Sequence, residues 1–177
     1  MKSQSSDLLA GKIVTLPTET VNGYAVSLNS KQAIIDLMQL KERDFDSDKI
    51  FTLVPESVSA ISKYVITPPV AKSLIDRYIP GELTIILPKN PDFHHFYFDE
   101  IMRRGRFNGI GIRIPDYPLF AELLPETGPL LLTSANPRGG TPKSVTGHLP
   151  STIIDFTGKH PRIIRQGNLH IDPTLYH

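Results

Sequence analysis

Apolar positions along the chain recur on two different periods, and the switches between them mark out the elements. Ile13 to Leu16 is a short apolar run entered from Gly11 and stopped by Pro17, the pattern of a buried strand. Ala33, Ile34, Leu37, Met38 and Leu40 then fall on a helical period behind Ser30, which predicts a capped amphipathic helix with Lys41 and Arg43 in its last turn. A strand over 50–54, a short helix over 57–64 and a helix over 69–78, opened by Pro69, follow in order. Pro80-Gly81 signals a turn into an apolar, partly β-branched run at 83–87. Further strands are expected at 111–114 and 130–133, with a helix near 119–124 between them, whereas 91–106 is aromatic and basic without a clear period. Strands and helices mix without strict alternation. The pattern therefore predicts an α/β (α+β) fold on a twisted, mixed sheet rather than a parallel, doubly wound one.

Composition narrows the picture. At 177 residues the chain suits one core of ordinary size, so a single domain over 1–177 is expected. No apolar run approaches the ~20 residues needed to cross a bilayer. Met1 to Ala10 lacks the apolar core of a secretory signal, which makes the cytoplasm the expected compartment. The absence of cysteine excludes disulfides, thiolate metal sites and a cysteine nucleophile. A formal charge of +1 gives no global pull toward nucleic acid or an acidic membrane. The charge is uneven, however: 137–177 carries Arg138, Lys143, Lys159, Arg162 and Arg165 against Asp155 and Asp172, a balance suited to a polyanion such as a triphosphate.

Three polar clusters follow strands or end a helix, where α/β proteins place binding groups. Pro17-Thr18-Glu19-Thr20 offers hydroxyls and backbone N–H groups for an anionic or zwitterionic ligand, although taken alone a turn in which the threonines satisfy backbone groups explains it better. Lys41-Glu42-Arg43 ends a helix, where cations also complement the C-terminal partial charge. Thr133-Ser134-Ala135-Asn136 closes an apolar run with a hydroxyl and an amide, but no G-x-S-x-G elbow surrounds Ser134, so a hydrolase triad is set aside. Asp44, Asp46 and Asp48 alternate like a calcium loop, yet Lys49 stands where glycine is required and Pro55 where glutamate is. His94 and His95 are adjacent and cannot face one metal from a helix, and no metal-ligating residues are assigned. The sequence contains no G-x-x-x-x-G-K-[ST] phosphate loop, so any ATP is bound by another device.

Taken in order, seven short segments carry a resemblance. They are Pro17-Thr18-Glu19-Thr20-Val21-Asn22-Gly23, Lys41-Glu42-Arg43, Pro80-Gly81-Glu82-Leu83-Thr84, Gly111-Ile112-Arg113-Ile114-Pro115, Ser134-Ala135-Asn136, Ser151-Thr152 and Arg165-Gln166-Gly167. Together they resemble the YrdC/Sua5 family in its short, single-domain form. The resemblance implies a twisted sheet around a large concave groove. It also implies a nucleotidyltransferase that joins L-threonine, bicarbonate or CO2, and ATP into threonylcarbamoyl-AMP and pyrophosphate. The product feeds the t6A modification of ANN-decoding tRNAs through a downstream transferase complex. By the same resemblance Thr18, Arg113, Ser134 and Ser151 would hold threonine, and Lys41, Arg43, Asn136 and Arg165 would hold ATP, with Lys41 and Arg43 acting catalytically on the triphosphate and Mg2+ bridging its oxygens.

This chain departs from the family pattern at particular places. Asn22 stands where an aromatic residue is usual and Tyr24 where a small one is, which alters the expected substrate wall. Asp44-Phe45-Asp46-Ser47-Asp48 follows Arg43 where proline is common, bringing negative charge toward the expected phosphates. The stretch between Asn136 and Ser151 is shortened. These changes keep open a second reading, a non-catalytic paralogue that binds nucleotide or RNA, for which Arg103, Arg104 and Arg106 beside Phe107 would supply a basic, aromatic patch.

Overall fold

A computed structural model describes residues 2–47, 49–105, 107–136 and 149–176. Its elements, in chain order, are α1 (Lys2–Leu9), β1 (Val14–Leu16), β2 (Gly23–Ser27), α2 (Lys31–Leu40), β3 (Thr52–Val54), α3 (Ile61–Tyr64), α4 (Pro69–Tyr78), β4 (Leu83–Pro88), α5 (Phe96–Arg103), β5 (Gly109–Ile112), α6 (Pro118–Thr127), β6 (Leu130–Ser134), β7 (Thr152–Asp155) and β8 (Arg162–Arg165), before a 3-10 turn at Pro173–Leu175. The strands form one sheet in the order β1-β2-β6-β3-β5-β4-β7-β8. Pairs β3/β5 and β4/β7 are parallel and the others antiparallel, so the sheet is mixed, as the pattern predicts. Among the described residues no helix is long and apolar enough to cross a membrane.

Helix α2 forms for the reasons its sequence suggests. The Ser30 hydroxyl accepts from the Ala33 N–H at 3.3 Å, and Ala33, Ile34, Leu37 and Met38 are buried. Each fully buried aliphatic side chain of this kind contributes roughly 1.5–3 kcal/mol. Lys41 is the C-cap rather than part of the last turn, and Glu42 follows at φ 47°, so the chain turns sharply before Arg43. That turn points the two cations off the end of the helix.

Strand β5 begins two residues earlier than its apolar content suggests. Its sequence, Gly109-Ile110-Gly111-Ile112, puts both isoleucines in the core on one face and leaves glycines on the other. A hydropathy pattern weights the isoleucines and misses the glycine register. The chain also forms α1, β2, α5, β7 and β8, for which no element is predicted. In α5, eight residues with an aromatic inner face are too few for a clear helical period. Tyr97 and Phe98 pack inward, Phe51 stacks on Tyr97 at 5.3 Å, and the Phe51 N–H donates to the Tyr97 hydroxyl at 3.0 Å. Helix α3 is shorter than the expected 57–64, and α6 runs on through Pro125 past the expected end at 124.

Candidate active site

Sheet register brings together residues that are far apart in sequence. Ile85 pairs with Ile112, Leu83 with Thr152, and Ile153 with Arg165. Because side chains alternate, Thr84, Arg113, Ser151 and Arg165 share the face opposite the buried Leu83, Ile85 and Ile112. Gly23 pairs with Ser134 on the other half of the sheet, at the C-terminal end of β6. The glycines of β5 let neighbouring chain pack closely on that face: a Cβ at Gly109 would lie 2.4 Å from the Leu87 carbonyl oxygen.

Arg113 is 6% exposed and tied on three sides. Its Nε donates to the Gly81 carbonyl at 3.2 Å, and its Nη2 donates to Glu19 Oε1 at 2.9 Å and to Thr20 Oγ1 at 2.8 Å. A cation this buried requires a counter-charge, and Glu19 supplies it. The second carboxylate oxygen, Glu19 Oε2, is buried and accepts no hydrogen bond among the described residues.

Ser151 lies next to this pair. Its hydroxyl shares a hydrogen bond of 2.8 Å with the Thr84 hydroxyl and accepts from Arg165 Nη2 at 3.1 Å, while its carbonyl accepts from Arg165 Nε at 2.9 Å. Arg165 keeps much of its surface in solvent, but desolvation of its guanidinium, and secondarily the charge of Arg113, lower its pKa. Arg165 and Arg113 thus stand on the same face of the sheet with like charges. The Arg165-Gln166-Gly167 segment depends on its glycine: a Cβ at Gly167 would lie 2.2 Å from the Pro150 carbonyl oxygen. Without one, the Gly167 N–H reaches Thr152 Oγ1 at 2.9 Å, and the chain after β8 lies against Ser151.

Lys41 joins the helix end to the strand end. It is 2% exposed, and its ammonium donates to the carbonyl of Ser134 at 2.9 Å, to the carbonyl of Asn136, and to Asn136 Oδ1 at 3.4 Å. The Ser134 hydroxyl donates to that same amide oxygen. Desolvation, then the charges of Arg43 and Lys49, hold the Lys41 pKa below the ordinary lysine range. Arg43 donates to Thr133 Oγ1 at 3.4 Å and lies 5.3 Å from the centre of the Phe51 ring. Tyr24, one of the departures from the family pattern, has its ring centre 5.9 Å from the Lys41 ammonium, a cation–π contact on the same cluster.

Thr18 faces into its own loop. Its hydroxyl donates to the Val21 carbonyl at 2.7 Å and accepts the N–H groups of Thr20 at 3.1 Å and Val21 at 3.2 Å. It fixes the turn that sets Glu19 and Thr20 on Arg113. Asn22 holds the neighbouring strand end by accepting the Ala135 N–H at 2.7 Å, and its Oδ1 is a second buried acceptor without a partner among the described residues.

The eight predicted residues fall into two clusters, Arg113 with Ser151 and Arg165, and Lys41 with Arg43, Ser134 and Asn136, with Thr18 shaping the loop beside the first; Ser134, expected with the threonine set, thus sits with Lys41, and Arg165, expected with the ATP set, sits on Ser151. Sequence reasoning assigned no individual role to Glu19 or Thr84, and Thr20 entered only as one hydroxyl of its segment, although all three stand inside the quoted segments. The acidic stretch after Arg43 is partly neutralised: Asp46 pairs with Arg104, and Asp44 accepts from the Asp46 N–H at 3.0 Å. Asp48, Arg106 and the shortened stretch over 137–148 lie outside the described residues. A hollow of about 290 Å3, lined by Val58, Pro80, Ile114, Phe120 and Leu124 among others, adjoins the site through Ile114 but includes none of the eight. Among the described residues no three acidic or histidine side chains are grouped to hold a metal.

Comparison with known proteins places the chain in a family. The family model covering Sua5, YciO and YrdC, described as Telomere recombination, matches residues 6–147. The chain is 35% identical over 148 residues to a relative in Methanocaldococcus jannaschii, an alignment covering 84% of this chain and 66% of that one. It is 30% identical over 175 residues to the threonylcarbamoyl-AMP synthase of Pseudoalteromonas atlantica, covering 92% of this chain and 89% of the relative. In fold it matches P. abyssi Sua5 complexed with L-threonine, with a TM-score of 0.77 at 24% identity, over 95% of this chain and 54% of that one. The chain thus spans just under two thirds of the first relative and about half of the Sua5 chain. It belongs to the Sua5/YciO/YrdC family.

Proposed function

We propose that the chain is an L-threonylcarbamoyladenylate synthase, which makes threonylcarbamoyl-AMP and pyrophosphate from L-threonine, bicarbonate or CO2, and ATP. The observation that carries the reading is the placement of Arg113 and Arg165 on one face of the sheet, with Arg165 donating to the hydroxyl and carbonyl of Ser151 and Arg113 held by Glu19, Thr20 and Gly81. Like charges held together in this way suit a ligand that brings anionic groups. The P. atlantica relative bears the name of this activity, and P. abyssi Sua5 binds L-threonine, so the anions expected here are an amino-acid carboxylate and a triphosphate.

The chemistry fits the inventory. The threonine amine is carboxylated, and a carbamate oxygen attacks the α-phosphorus in line with departing pyrophosphate. Such a reaction calls for positioning and charge neutralisation rather than a covalent nucleophile. Arg113, Ser134 and Ser151 would hold threonine, in a pocket whose loop Thr18 shapes, and Lys41, Arg43, Asn136 and Arg165 would hold ATP. The donors present are cations, hydroxyls and an amide, which suit phosphate oxygens; Mg2+ would enter on the triphosphate as part of the substrate. The product would pass, in the cytoplasm, to a transferase acting on tRNA.

The test is pyrophosphate release from ATP with bicarbonate and Mg2+, with and without L-threonine, beside Lys41→Ala and Arg43→Ala proteins shown to be folded. Threonine-dependent release, reduced at least ~100-fold in both variants, is expected. ATP binding without threonine-dependent release would favour the nucleotide-binding paralogue instead.

A further inference from the structure

The proposed roles leave the Glu19 carboxylate unused, and its Oε2, like Asn22 Oδ1, is a buried acceptor without a partner among the described residues. Oε1 is held by Arg113 at 2.9 Å, while Oε2 is buried with no donor among the described residues. A desolvated carboxylate oxygen is costly to leave unpaired, and native proteins reserve such positions for a water, an ion or a ligand donor. The missing partner must be a donor, and a cationic one suits best, because the carboxylate carries a full negative charge.

An α-amino acid carries such a donor. Its ammonium and carboxylate sit on one carbon, so a ligand whose carboxylate meets Arg113 carries its ammonium to the carboxylate already in contact with Arg113. We propose that Glu19 is a specificity-determining residue that reads the substrate's α-ammonium through Oε2, the Glu19–Arg113 pair acting as a single receptor for a zwitterion. This rests on the synthase reading and deepens it: the pair selects α-amino acids over hydroxy acids and simple carboxylates. Glu19 does not give up its bond to Arg113 when substrate enters; it uses the oxygen that Arg113 leaves open. The rigid turn built by Thr18 and the Thr20 contact to Arg113 hold that oxygen in place.

Glu19→Gln separates this role from simple support of Arg113. The amide oxygen still accepts from Arg113, but the second position becomes an N–H2 donor that repels ammonium and tolerates hydroxyl. Calorimetric binding of L-threonine and of its analogue with hydroxyl in place of the α-amine is measured for wild type and variant, with thermal unfolding as a check of fold. Wild type is expected to prefer threonine by roughly ten- to a hundredfold, and the variant to lose that preference while binding the analogue within about twofold of wild type. Equal weakening of both ligands in a folded variant would reduce Glu19 to a support for Arg113 and overturn the proposal. So would equal binding of the two ligands by wild type, an outcome that needs no variant. Failure of wild type to bind threonine at all would instead remove the synthase reading itself.

Discussion

The chain holds two arginine clusters, and they differ in everything except residue type. Arg103 and Arg104 end α5 on the surface, both pairing with Glu100 and Arg104 also with Asp46. Their opposite charges sit on neighbouring, solvated side chains, so the cluster is closed on itself. Arg113 is buried and shares a face of the sheet with Arg165; among the described residues Glu19 is the ion-pair partner of Arg113, and Arg165 donates to the hydroxyl and carbonyl of Ser151. In sequence the surface cluster was the more conspicuous, three arginines beside an aromatic. The proposed function rests instead on single arginines, one just past the end of β5 and one closing β8.

Breaking that contrast should give effects in a fixed order. Arg113→Ala leaves the Glu19 carboxylate buried without a cation and is expected to cost about 3–5 kcal/mol of stability in a denaturant titration. Arg113→Lys keeps a charge but loses the fork, so a folded protein with threonine affinity reduced roughly tenfold or more is expected by calorimetry. A smaller, conditional effect belongs to Lys41. Burial disfavours its ammonium, so its proton leaves at a lower pH than from an ordinary lysine, and charge-dependent turnover should fall on the alkaline side below the ordinary lysine range. Lys41→Arg, whose guanidinium keeps its proton, should move that alkaline limb of the pH–rate profile upward even where its rate at neutral pH is lower. The smallest effect is expected at the surface. Replacing Arg103 and Arg104 together by alanine should leave turnover and threonine affinity unchanged, and a salt-sensitive loss of RNA binding in that variant would revive the RNA reading.

How much of this was legible in the sequence follows from which forces act locally. Helix α2 was legible because its cap and apolar stripe lie within one segment, and α4 because Pro69 opens it. Strands β7 and β8 were not, because β8 is mostly exposed, with only Ile163 half-buried, and is held by its partner strand rather than by an apolar run of its own. The site was legible as motifs, since each segment stands at a strand or helix end, but not as geometry. That Arg113 meets Glu19 across 94 positions is a product of sheet order, which no local pattern contains. Nor could composition show that the Thr18 hydroxyl would be spent on its own turn, leaving its neighbour Glu19 as the group with an open valence.

The central claim is the reaction, and its product tests it most directly. Purified protein would be incubated with ATP, Mg2+, L-threonine and isotopically labelled bicarbonate, and the nucleotide products identified by mass spectrometry. The account expects an adenylate whose mass includes both threonine and the labelled carbon, formed in step with pyrophosphate. Folded, ATP-binding protein that yields no such adenylate, or AMP alone with no label bound to threonine, would contradict it.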